Sequence, residues 1–576
     1  MNARLTWSLL MLFAACPAVE GAAPFRASID GITRVTVRPE QCAPVDFDVM
    51  LTARWTDPAC SSEVAVDLRL QAPSGSPVDV PAYLEHGLSG RPSEWRVRFS
   101  PEESGAYSGS LVIRQDGRDE ATAPVRFEVA PSGRRGFLHP DGPWIFRFDN
   151  GEPFRGIGEN IAWESRSNDD SRYFRALNEN PRYNYGTMFG KLAASGGNFV
   201  RAWMCPWNLP LEWNHVVDTD RYSDDTGRFN RSAIHRMDQV VRLARESGVY
   251  LMLTLDTGGA LLGGDWAINP YNARNGGPAA TPVDFFTNPA ARARYKDRLR
   301  YIVARWGYSP HIAAWELFNE VDNAMYGQTP ERIPDSVVTA WHAEMSAYLK
   351  RIDPAHRPVT TSVSHRDVAG LDAIPTIDFN QRHIYRSTHD IPSVLRRYVR
   401  STGKPYVIGE FSREWDWSRN FDDFAADMDG DYRRGLWLGL FSPTPILPMS
   451  WWWEYFDSRN QWPVFGRVRR ISDWMLRAGG GHFEEEQARW TGSDCQALGV
   501  RCGRTVFLLV DNGAGTARSG RLGLPPAPPE GWSLRVYHAD TGGLDNLAST
   551  GASLSLSVPA RSDVVVILEP GKGGGS

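Results

Sequence analysis

The pattern of apolar and polar positions changes twice along the chain and divides it into three sections. From about Phe25 to Val129, short runs such as residues 95–99 alternate apolar with polar positions between Pro- and Gly-rich turns. This period of two predicts strands with one wet face, and the repeated turns favour a β-sandwich. After about Gly479 the same pattern returns around residues 505–510 and 563–568, which predicts a second, smaller β-sandwich.

The middle section instead alternates apolar runs with amphipathic helical patterns, such as those over 236–244 and 337–352. This alternation predicts βα units around a parallel sheet. Eight runs have the character of buried strands, namely 154–158, 198–203, 249–255, 312–320, 358–363, 377–383, 406–410 and 446–453. Eight strands with intervening helices predict an α/β fold of the (β/α)8 TIM-barrel type with long loops.

These patterns predict five segments. They are a signal peptide over 1–22, an N-terminal β-sandwich over 23–131, a barrel over 137–480, a C-terminal β-sandwich over 483–570 and a flexible tail over 571–576. In the first segment a positive Arg4 precedes an apolar stretch that is too short for a stable membrane anchor. We therefore expect a secreted or periplasmic protein whose mature chain begins near Ala22. Lipid anchoring at Cys16 is the alternative, and its motif is imperfect because Phe13 stands where Leu is usual.

Export makes disulfide bonds possible. Cys42 and Cys60 lie in the N-terminal section, and Cys495 and Cys502 lie together near the C-terminus, so each pair could form a local bridge. Sequence alone does not fix this connectivity. Cys205 is left over and is expected to be a buried structural residue rather than a catalytic thiol, because no His partner is indicated.

The amino-acid composition limits the classes of molecule that the protein is expected to bind. A net charge of −5 over 576 residues gives no sign of nucleic-acid or membrane-surface binding. The 22 Trp residues are more than a core of this size needs. Indole rings stack on the apolar faces of sugars, so this count favours a carbohydrate ligand, although many core Trp residues remain an alternative.

Two of the predicted barrel strands end in a carboxylate. The fourth turns abruptly polar at Asn319, Glu320 and Asp322, and the seventh closes on Glu410. Catalytic groups of a parallel barrel sit at the carboxyl ends of its strands, and hydrolysis of a glycosidic bond requires two carboxyl groups. The alternative for the first of these strand ends is an ordinary solvated acidic loop.

On these motifs the middle section resembles clan A glycoside hydrolases, closest in style to the family 5 cellulase and mannanase group. The matching motifs fall in the expected strand order and are Asn198-Phe199-Val200-Arg201, the stretch from Trp315 to Glu320, His383-Ile384-Tyr385, Gly409-Glu410 and Trp451-Trp452-Trp453. Two positions depart from the group: Asp256-Thr257 ends the third strand where a His is frequent, and Val321 replaces a common Pro. The section before the barrel is similar to the immunoglobulin-like modules of bacterial members.

The resemblance implies a retaining mechanism on β-glycosidic bonds. Glu320 would be the general acid, with its pKa raised by its surroundings, and Glu410 the nucleophile. Their carboxyl groups would then stand roughly 5–5.5 Å apart. Asn319 would bind the sugar 2-hydroxyl. Arg201 would keep Glu410 charged, because a fixed guanidinium lowers the pKa of a nearby carboxyl.

The remaining candidates are expected to bind or orient the substrate. Tyr385 would touch Glu410 and His383 would orient the site, although the two could instead be a satisfied polar pair below it. In a regular strand Trp451 and Trp453 face one side and Trp452 the other, which leaves open which one forms the sugar platform. Trp163 and Asp256 are expected at the pocket wall, as are Glu159, Asn160 and Glu164, with a solvated loop as the alternative for each.

We expect no cofactor and no metal. Acids alternate over 427–431, but Tyr432 and Leu438 occupy the positions where a calcium loop needs Gly and Glu, so a solvated turn is predicted. The leading hypothesis is a retaining hydrolase acting on a polysaccharide or oligosaccharide. A transglycosylase on the same site and a non-catalytic carbohydrate-binding protein are the alternatives. Sugar identity, linkage and endo or exo action are not readable from the sequence, and neither is the oligomeric state.

Overall fold

A computed structural model describes residues 25–326, 333–492, 494–529, 531–547 and 551–571. The predicted signal peptide and the candidate lipid-anchor Cys16 lie outside these residues, as does all but the first residue of the predicted tail. Among the described residues, none of the helices combines the length and the apolar character that a membrane crossing requires.

The N-terminal section consists of seven strands joined in the order β1-β2-β5-β4-β3-β6-β7, with every pairing antiparallel. The strands are β1 (Ser28–Arg34), β2 (Val45–Thr52), β3 (Val64–Gln71), β4 (Pro77–His86), β5 (Pro92–Phe99), β6 (Gly105–Gln115) and β7 (Arg118–Val129). Alternate residues of β2 and β5 point into a hydrophobic core that belongs to this section alone. The period of two in the sequence therefore corresponds to one buried and one exposed face.

Three short strands follow, β8 (Leu138–Asp141), β9 (Ile145–Phe148) and β10 (Pro153–Phe154), and they form a small antiparallel sheet. Its aromatic side chains pack into the amino-terminal mouth of the barrel, where Phe146 contacts Phe379 and Phe148 contacts Tyr250. The sheet closes the bottom of the barrel, so only the opposite mouth is open to a substrate.

The predicted (β/α)8 barrel is confirmed. Its parallel strands are β11 (Gly158–Asn160), β12 (Phe199–Trp203), β13 (Tyr250–Thr254), β14 (Ile312–Glu316), β15 (Val359–Thr360), β16 (Ser362–Val363), β17 (Asn380–Tyr385) and β18 (Tyr406–Ser412). Every residue of β12, β13 and β14 is buried, as expected for strands covered on both faces. The fifth barrel strand is split into β15 and β16 at Thr361.

Two strand predictions are wrong in detail. Phe154 belongs to the bottom sheet, and the first barrel strand begins at Gly158. The eighth position, predicted as a strand over 446–453, closes the barrel only through isolated bridges at Ile446 and Ser450. Pro445 and Pro448 have no N–H to donate, so this segment cannot sustain a regular ladder.

Twelve α-helices lie within the described residues. They are α1 (Arg175–Asn178), α2 (Tyr185–Ala194), α3 (Arg231–Ser247), α4 (Gly263–Ile268), α5 (Pro282–Thr287), α6 (Pro289–Trp306), α7 (Val321–Tyr326), α8 (Asp335–Ile352), α9 (Ile391–Thr402), α10 (Ala425–Leu440), α11 (Trp453–Ser458) and α12 (Pro463–Gly479). The predicted solvated turn over 427–431 is wrong, since it lies inside α10. Asp427 and Asp429 form ion pairs there with Arg561 and Arg459.

The C-terminal section has the strands β19 (Phe483–Glu486), β20 (Arg489–Gly492), β21 (Gln496–Cys502), β22 (Thr505–Asn512), β23 (Arg518–Gly523), β24 (Trp532–His538), β25 (Leu544–Leu547), β26 (Ser553–Val558) and β27 (Ser562–Pro570). They form sheets in the orders β19-β21-β22-β27-β24-β25 and β20-β23-β26. In β22, Phe507 and Leu509 pack into the barrel's core, while Val506 and Leu508 pack into a separate core between the sheets. One face of the larger sheet is therefore fastened to the barrel.

Neither expected disulfide is present, and all five cysteines of the described residues are free thiols. Cys495 and Cys502 flank the length of β21, which at about 3.3 Å per residue separates them far beyond bridging distance. Cys42 lies beside Pro101, whereas Cys60 bonds to Val64 at the other end of the N-terminal sheet. Cys205 is fully buried, as its structural interpretation expects.

Candidate active site

The acidic stretch after β14 is held at the mouth of the barrel by its two neighbouring strands. The backbone N–H of Asn319 donates to the carbonyl of Asp256 (2.8 Å), and the N–H of Gly258 donates back to the carbonyl of Asn319 (2.8 Å). On the other side the hydroxyl of Ser362 accepts from the N–H of Glu320 (2.9 Å). Glu320 adopts a left-handed φ of 46°, which turns the chain from strand into loop.

A glycine allows this close packing. A Cβ at Gly258 would come within 2.5 Å of the carbonyl oxygen of Glu320, so no other residue fits without a shift of the backbone. The backbone beneath Glu320 is therefore fixed by contacts from both sides.

Glu320 and Glu410 meet over the centre of the barrel. One carboxylate oxygen of each, together with a ring nitrogen of His383, lies within 4.8 Å of the others. The short spacing is that of a retaining pair, because an inverting pair stands about 6.5–9.5 Å apart to admit a water molecule. The arrangement can therefore support attack by one carboxylate while the other transfers a proton.

Glu410 is held by three side chains. Its Oε1 accepts from Nη1 of Arg201 (2.7 Å), and its Oε2 accepts from the hydroxyl of Tyr385 (2.7 Å). Nδ1 of His383 lies 3.4 Å from the same Oε2. Burial raises the pKa of Glu410, while His383, Arg201 and Tyr385 oppose that rise. Arg201 therefore favours the ionised form of Glu410, while burial favours the protonated form.

Glu320 lies in a different environment. Its Oε2 accepts from Nδ2 of Asn323 (2.6 Å), and its Oε1 lies 2.6 Å from Nδ1 of His383. Burial raises the pKa of Glu320 to about 7, and the nearby charge of Asp322 adds to the rise. At neutral pH this carboxyl is available as a proton donor, as the role of general acid requires.

Arg201 connects the site through five hydrogen bonds. Its strongest partner is Glu316, which accepts from Nε (2.6 Å) and Nη2 (2.8 Å) in a bidentate pair. It also donates to Asn160 (3.0 Å), to Asn319 (2.6 Å) and to Glu410. Although burial works against it, the charge of Glu316 raises the pKa of Arg201. The guanidinium is thus a fixed positive charge at the floor of the site.

Glu316 was missed as a functional residue by sequence reasoning. It ends the strand β14 inside an otherwise apolar and fully buried run, and a charge in such a run needs a buried partner. This need for a buried partner is the feature of the sequence that could have identified Glu316. Asn160 was expected at the pocket wall or in a loop, but it is buried and also donates to the carbonyls of Gly409 and Ser450, which joins β11 to the neighbouring eighth segment and to β18.

His383 contacts both carboxylates but does not carry a charge at neutral pH. Burial lowers its pKa to about 4, even though Glu410 favours the protonated ring. Behind the ring lies Gly409, where a Cβ would come within 2.5 Å of Oε1 of Gln381 and 3.0 Å of Nε2 of His383. The glycine of the Gly409-Glu410 motif therefore makes room for the imidazole.

Two cavities meet beside the carboxyl groups of Glu320 and Glu410. The first, here called the histidine lobe, has a volume of about 660 Å³ and is lined by His365, His383, Tyr385, Arg386 and Glu410, among others. The second, the tryptophan lobe, has a volume of about 720 Å³ and is lined among others by Trp163, Trp207, Asn319, Trp417, Trp452 and Trp453. Both lobes share five lining residues, Trp203, Glu320, Asn323, Trp415 and Trp451. Glu320 thus lies where the two lobes join into one continuous cleft, and Glu410 lines the histidine lobe beside it.

The three consecutive tryptophans do not alternate as a strand would, because α11 begins at Trp453. Trp451 borders both lobes, and its ring meets those of Trp163 (5.4 Å) and Trp453 (5.1 Å) edge to face. Trp453 is only 1% exposed and forms the wall behind them. Trp452 stacks on Phe174 (5.5 Å) and lines only the tryptophan lobe. Of the run, Trp451 is the residue placed beside the carboxyl pair.

Three acids expected near the pocket lie elsewhere. Asp256 does not line either lobe: its carboxylate accepts from Nη1 of Arg298 (3.2 Å) and supports the backbone of the third strand end. Glu159 points outward and accepts from the hydroxyl of Tyr432 (3.0 Å). Glu164 pairs with Arg236. Each of these acids is buried and contacts a side chain that does not line the cleft.

Among the described residues, Glu320, His383 and Glu410 are the one set of three side chains that are close enough together to bind a metal ion. Both oxygens of Glu410 already accept hydrogen bonds, and Nδ1 of His383 faces Glu320. These donor atoms are therefore already engaged in contacts within the protein.

Residues 158–423 match the protein family described as Cellulase (glycosyl hydrolase family 5). Mannan endo-1,4-beta-mannosidase F of Aspergillus fumigatus is 26% identical over 266 residues, which are 40% of this chain and 56% of that protein. Mannan endo-1,4-beta-mannosidase A of Podospora anserina is 24% identical over 278 residues, 42% of this chain and 71% of that protein. The chain spans about half the length of the first of these curated relatives.

A proposed glycoside hydrolase of Bacteroides vulgatus ATCC 8482, known from its crystal structure, has a TM-score of 0.61 to this chain at 13% identity. The likeness covers 92% of this chain and 99% of that chain, so it extends beyond the barrel. At this identity it shows a shared fold and nothing about the reaction.

Proposed function

We propose that the barrel of this chain, whose residues 158–423 match the family 5 model, is a family 5 glycoside hydrolase of clan A, and that the protein is an exported retaining hydrolase of β-glycosidic bonds. The observation that carries the proposal is the spacing of Glu320 and Glu410, whose oxygens lie within 4.8 Å at the junction of an open cleft. The different surroundings of the two carboxyls support the assignment of their roles.

The reaction we propose has two displacements. In the first, an oxygen of Glu410 attacks the anomeric carbon, the bond to the leaving oxygen breaks, and Glu320 gives that oxygen its proton. In the second, Glu320 takes a proton from water, and the hydroxide formed attacks the same carbon and releases Glu410. The 2.7 Å bonds from Arg201 and Tyr385 disperse the charge that Glu410 carries before attack and after release.

We propose a β-linked polysaccharide or its fragments as the substrate, with β-1,4-mannan tested first and β-1,4-glucan second. The order rests on the names of the relatives, which act on mannan, and on the aromatic lining of the cleft. A transglycosylase would use the same glycosyl-enzyme with a sugar in place of water. The paired carboxyls favour catalysis over the alternative of binding alone.

We also propose that the section after the signal peptide and the section after residue 483 are β-sandwich domains flanking the barrel, the first immunoglobulin-like. Their antiparallel strands and separate hydrophobic cores support this division. The first section docks on α6, where Asp297 accepts from Ser61 (2.6 Å) and Arg300 donates to Asp67 (2.7 Å). Export rests on the pattern of residues 1–22.

Chemical rescue tests the assigned roles. Glu410→Ala and Glu320→Ala should each lower kcat on mannan by about 10³-fold or more, because each removes a reacting group. With an activated aryl β-glycoside as substrate, added azide should restore the turnover of both variants. The azide product should have the α configuration from Glu410→Ala and the β configuration from Glu320→Ala, since the small anion replaces the nucleophile in one and the water in the other.

Glu159→Gln is the matched control, because it alters another buried carboxyl at a strand end that does not line the cleft. Its kcat should stay close to that of the wild type. Full activity of Glu410→Ala, or the same product configuration from both variants, would contradict the assigned roles.

A further inference from the structure

Two tryptophans along the cleft that holds Glu320 and Glu410 have unusually exposed side chains. Trp415 and Trp417 are 55% and 50% exposed, and they are the exposed tryptophans among the described residues. Both lie on the loop between β18 and the short helix that begins at Phe421. Leaving indole surface in water is unfavourable, so neither position is explained by packing.

Both side chains face the substrate cleft. Trp415 borders the histidine lobe and the tryptophan lobe, whereas Trp417 lines only the tryptophan lobe. Trp417 is therefore separated from the carboxyl pair, which lies at the junction of the lobes. A ring bound against it would belong to a sugar unit some distance along the chain from the bond that is cut.

The loop is held in place without burying its tryptophans. Glu414, which is 2% exposed, accepts from Nε of Arg386 (2.9 Å), from Nη1 of Arg419 (2.5 Å) and from the backbone N–H groups of Trp415 (3.0 Å) and Asp416 (3.1 Å). A carboxylate that accepts this many bonds fixes the start of the loop.

Two further contacts position the first indole. The indole N–H of Trp452 donates to the backbone carbonyl of Glu414 (2.7 Å), which ties the loop to the wall of the cleft. The guanidinium of Arg386 lies 5.3 Å from the ring centre of Trp415. A binding surface arranged in advance of its ligand loses less conformational entropy on binding.

We infer that Trp417, next to Trp415, forms a distal glycan subsite held by Glu414 as a positioning residue, and that its ring stacks on a pyranose ring of a β-linked chain remote from the cleavage point. The occupant is a chain because the surface continues the cleft that holds the carboxyl pair. This inference rests on the proposed function and adds to it a preference for polymeric over short substrates. It favours cutting within a chain.

The test compares a long and a short substrate. For Trp417→Ala, kcat/KM on mannohexaose should fall about tenfold, or about 1.4 kcal/mol, chiefly through KM. On 4-nitrophenyl β-mannoside the loss should be several-fold smaller, so the ratio of the two constants falls. Trp417→Phe retains an aromatic face and should recover most of the ratio. Glu414→Gln should lower the same ratio, because the loop loses its ion pairs.

Leu88→Ala is the control for loss of exposed apolar surface, since Leu88 is 71% exposed and lies on the N-terminal section. This variant should have the same kcat/KM as the wild type on both substrates. If Trp417→Ala loses activity equally on both substrates, or on neither, the distal subsite is contradicted.

Binding separates this inference from the proposed function. Retardation of Glu410→Ala in a native gel containing mannan, and in one containing cellulose derivatives, should be weakened when Trp417→Ala is added. Equal retardation of the single and double variants overturns the subsite even if the wild type is active. A wild type that binds through Trp417 but turns over no β-glycan would contradict the proposed function and leave the subsite standing.

Discussion

At the scale of single residues, the site separates two chemically identical groups by what surrounds them. Glu320 is near Asp322 and accepts a hydrogen bond from the amide of Asn323, whereas Glu410 accepts hydrogen bonds from Arg201 and Tyr385. The sequence predicted both carboxyls, because each closes an apolar strand. It could not rank Glu316 as the main partner of Arg201, since that pairing depends on how two strands lie side by side.

The pKa of Glu320 predicts the basic side of the pH profile. Because the first displacement needs a protonated Glu320, kcat/KM on mannan should fall as pH rises through about 7. With a 2,4-dinitrophenyl glycoside, whose leaving group needs no proton, Glu320→Gln should lose this basic limb while retaining turnover. A limb that persists unchanged in Glu320→Gln would show that another group controls it.

The same shift predicts a stability effect. A carboxyl whose pKa is raised from 4.5 to about 7 on folding holds an extra proton in the folded state, so stability is lost as pH rises between these values. The penalty is absent below about pH 4 and complete above 7. Glu320→Gln cannot ionise and should therefore raise Tm at pH 8 by about 1–3 °C, with no gain at pH 4. An equal gain at both pH values would contradict the ionisation argument.

At the scale of elements, the predictions succeeded where periodicity was strong and failed where a local restriction overrode it. The amphipathic pattern over 337–352 became α8, which begins two residues earlier. The eighth strand failed because Pro445 and Pro448 interrupt its hydrogen bonding. Cys495 and Cys502 looked close in sequence, but the extended strand between them holds them apart.

One element-level prediction concerns the glycine behind His383. Gly409→Ala places a Cβ within 3.0 Å of the imidazole and 2.5 Å of Gln381 in the packed strands β17 and β18. We expect kcat to fall about 10- to 100-fold with only a modest loss of Tm, because His383 must move from both carboxylates. Gly190→Ala is the control, since a Cβ there meets nothing within 4 Å in helix α2. Unchanged kcat for Gly409→Ala would show that the ring position is not critical.

At the scale of the whole molecule, the barrel's closed lower mouth and its two flanking sections leave one face for the substrate. The sequence predicted the order of these parts from changes in period. It could not predict that β22 is buried on both faces, because its apolar run is compatible with several neighbours. The sequence also could not predict the shape of the two lobes, because their walls come from loops far apart in sequence, including residues 163, 207 and 417.

The central claim is that Glu410 and Glu320 act as a retaining pair. It is tested most directly by following the anomeric protons of the first product with NMR while the wild-type enzyme hydrolyses mannohexaose. The account predicts that the newly released sugar appears first as the β-anomer and that the α-anomer grows only by mutarotation. First appearance of the α-anomer would mean a single displacement by water and would contradict the account.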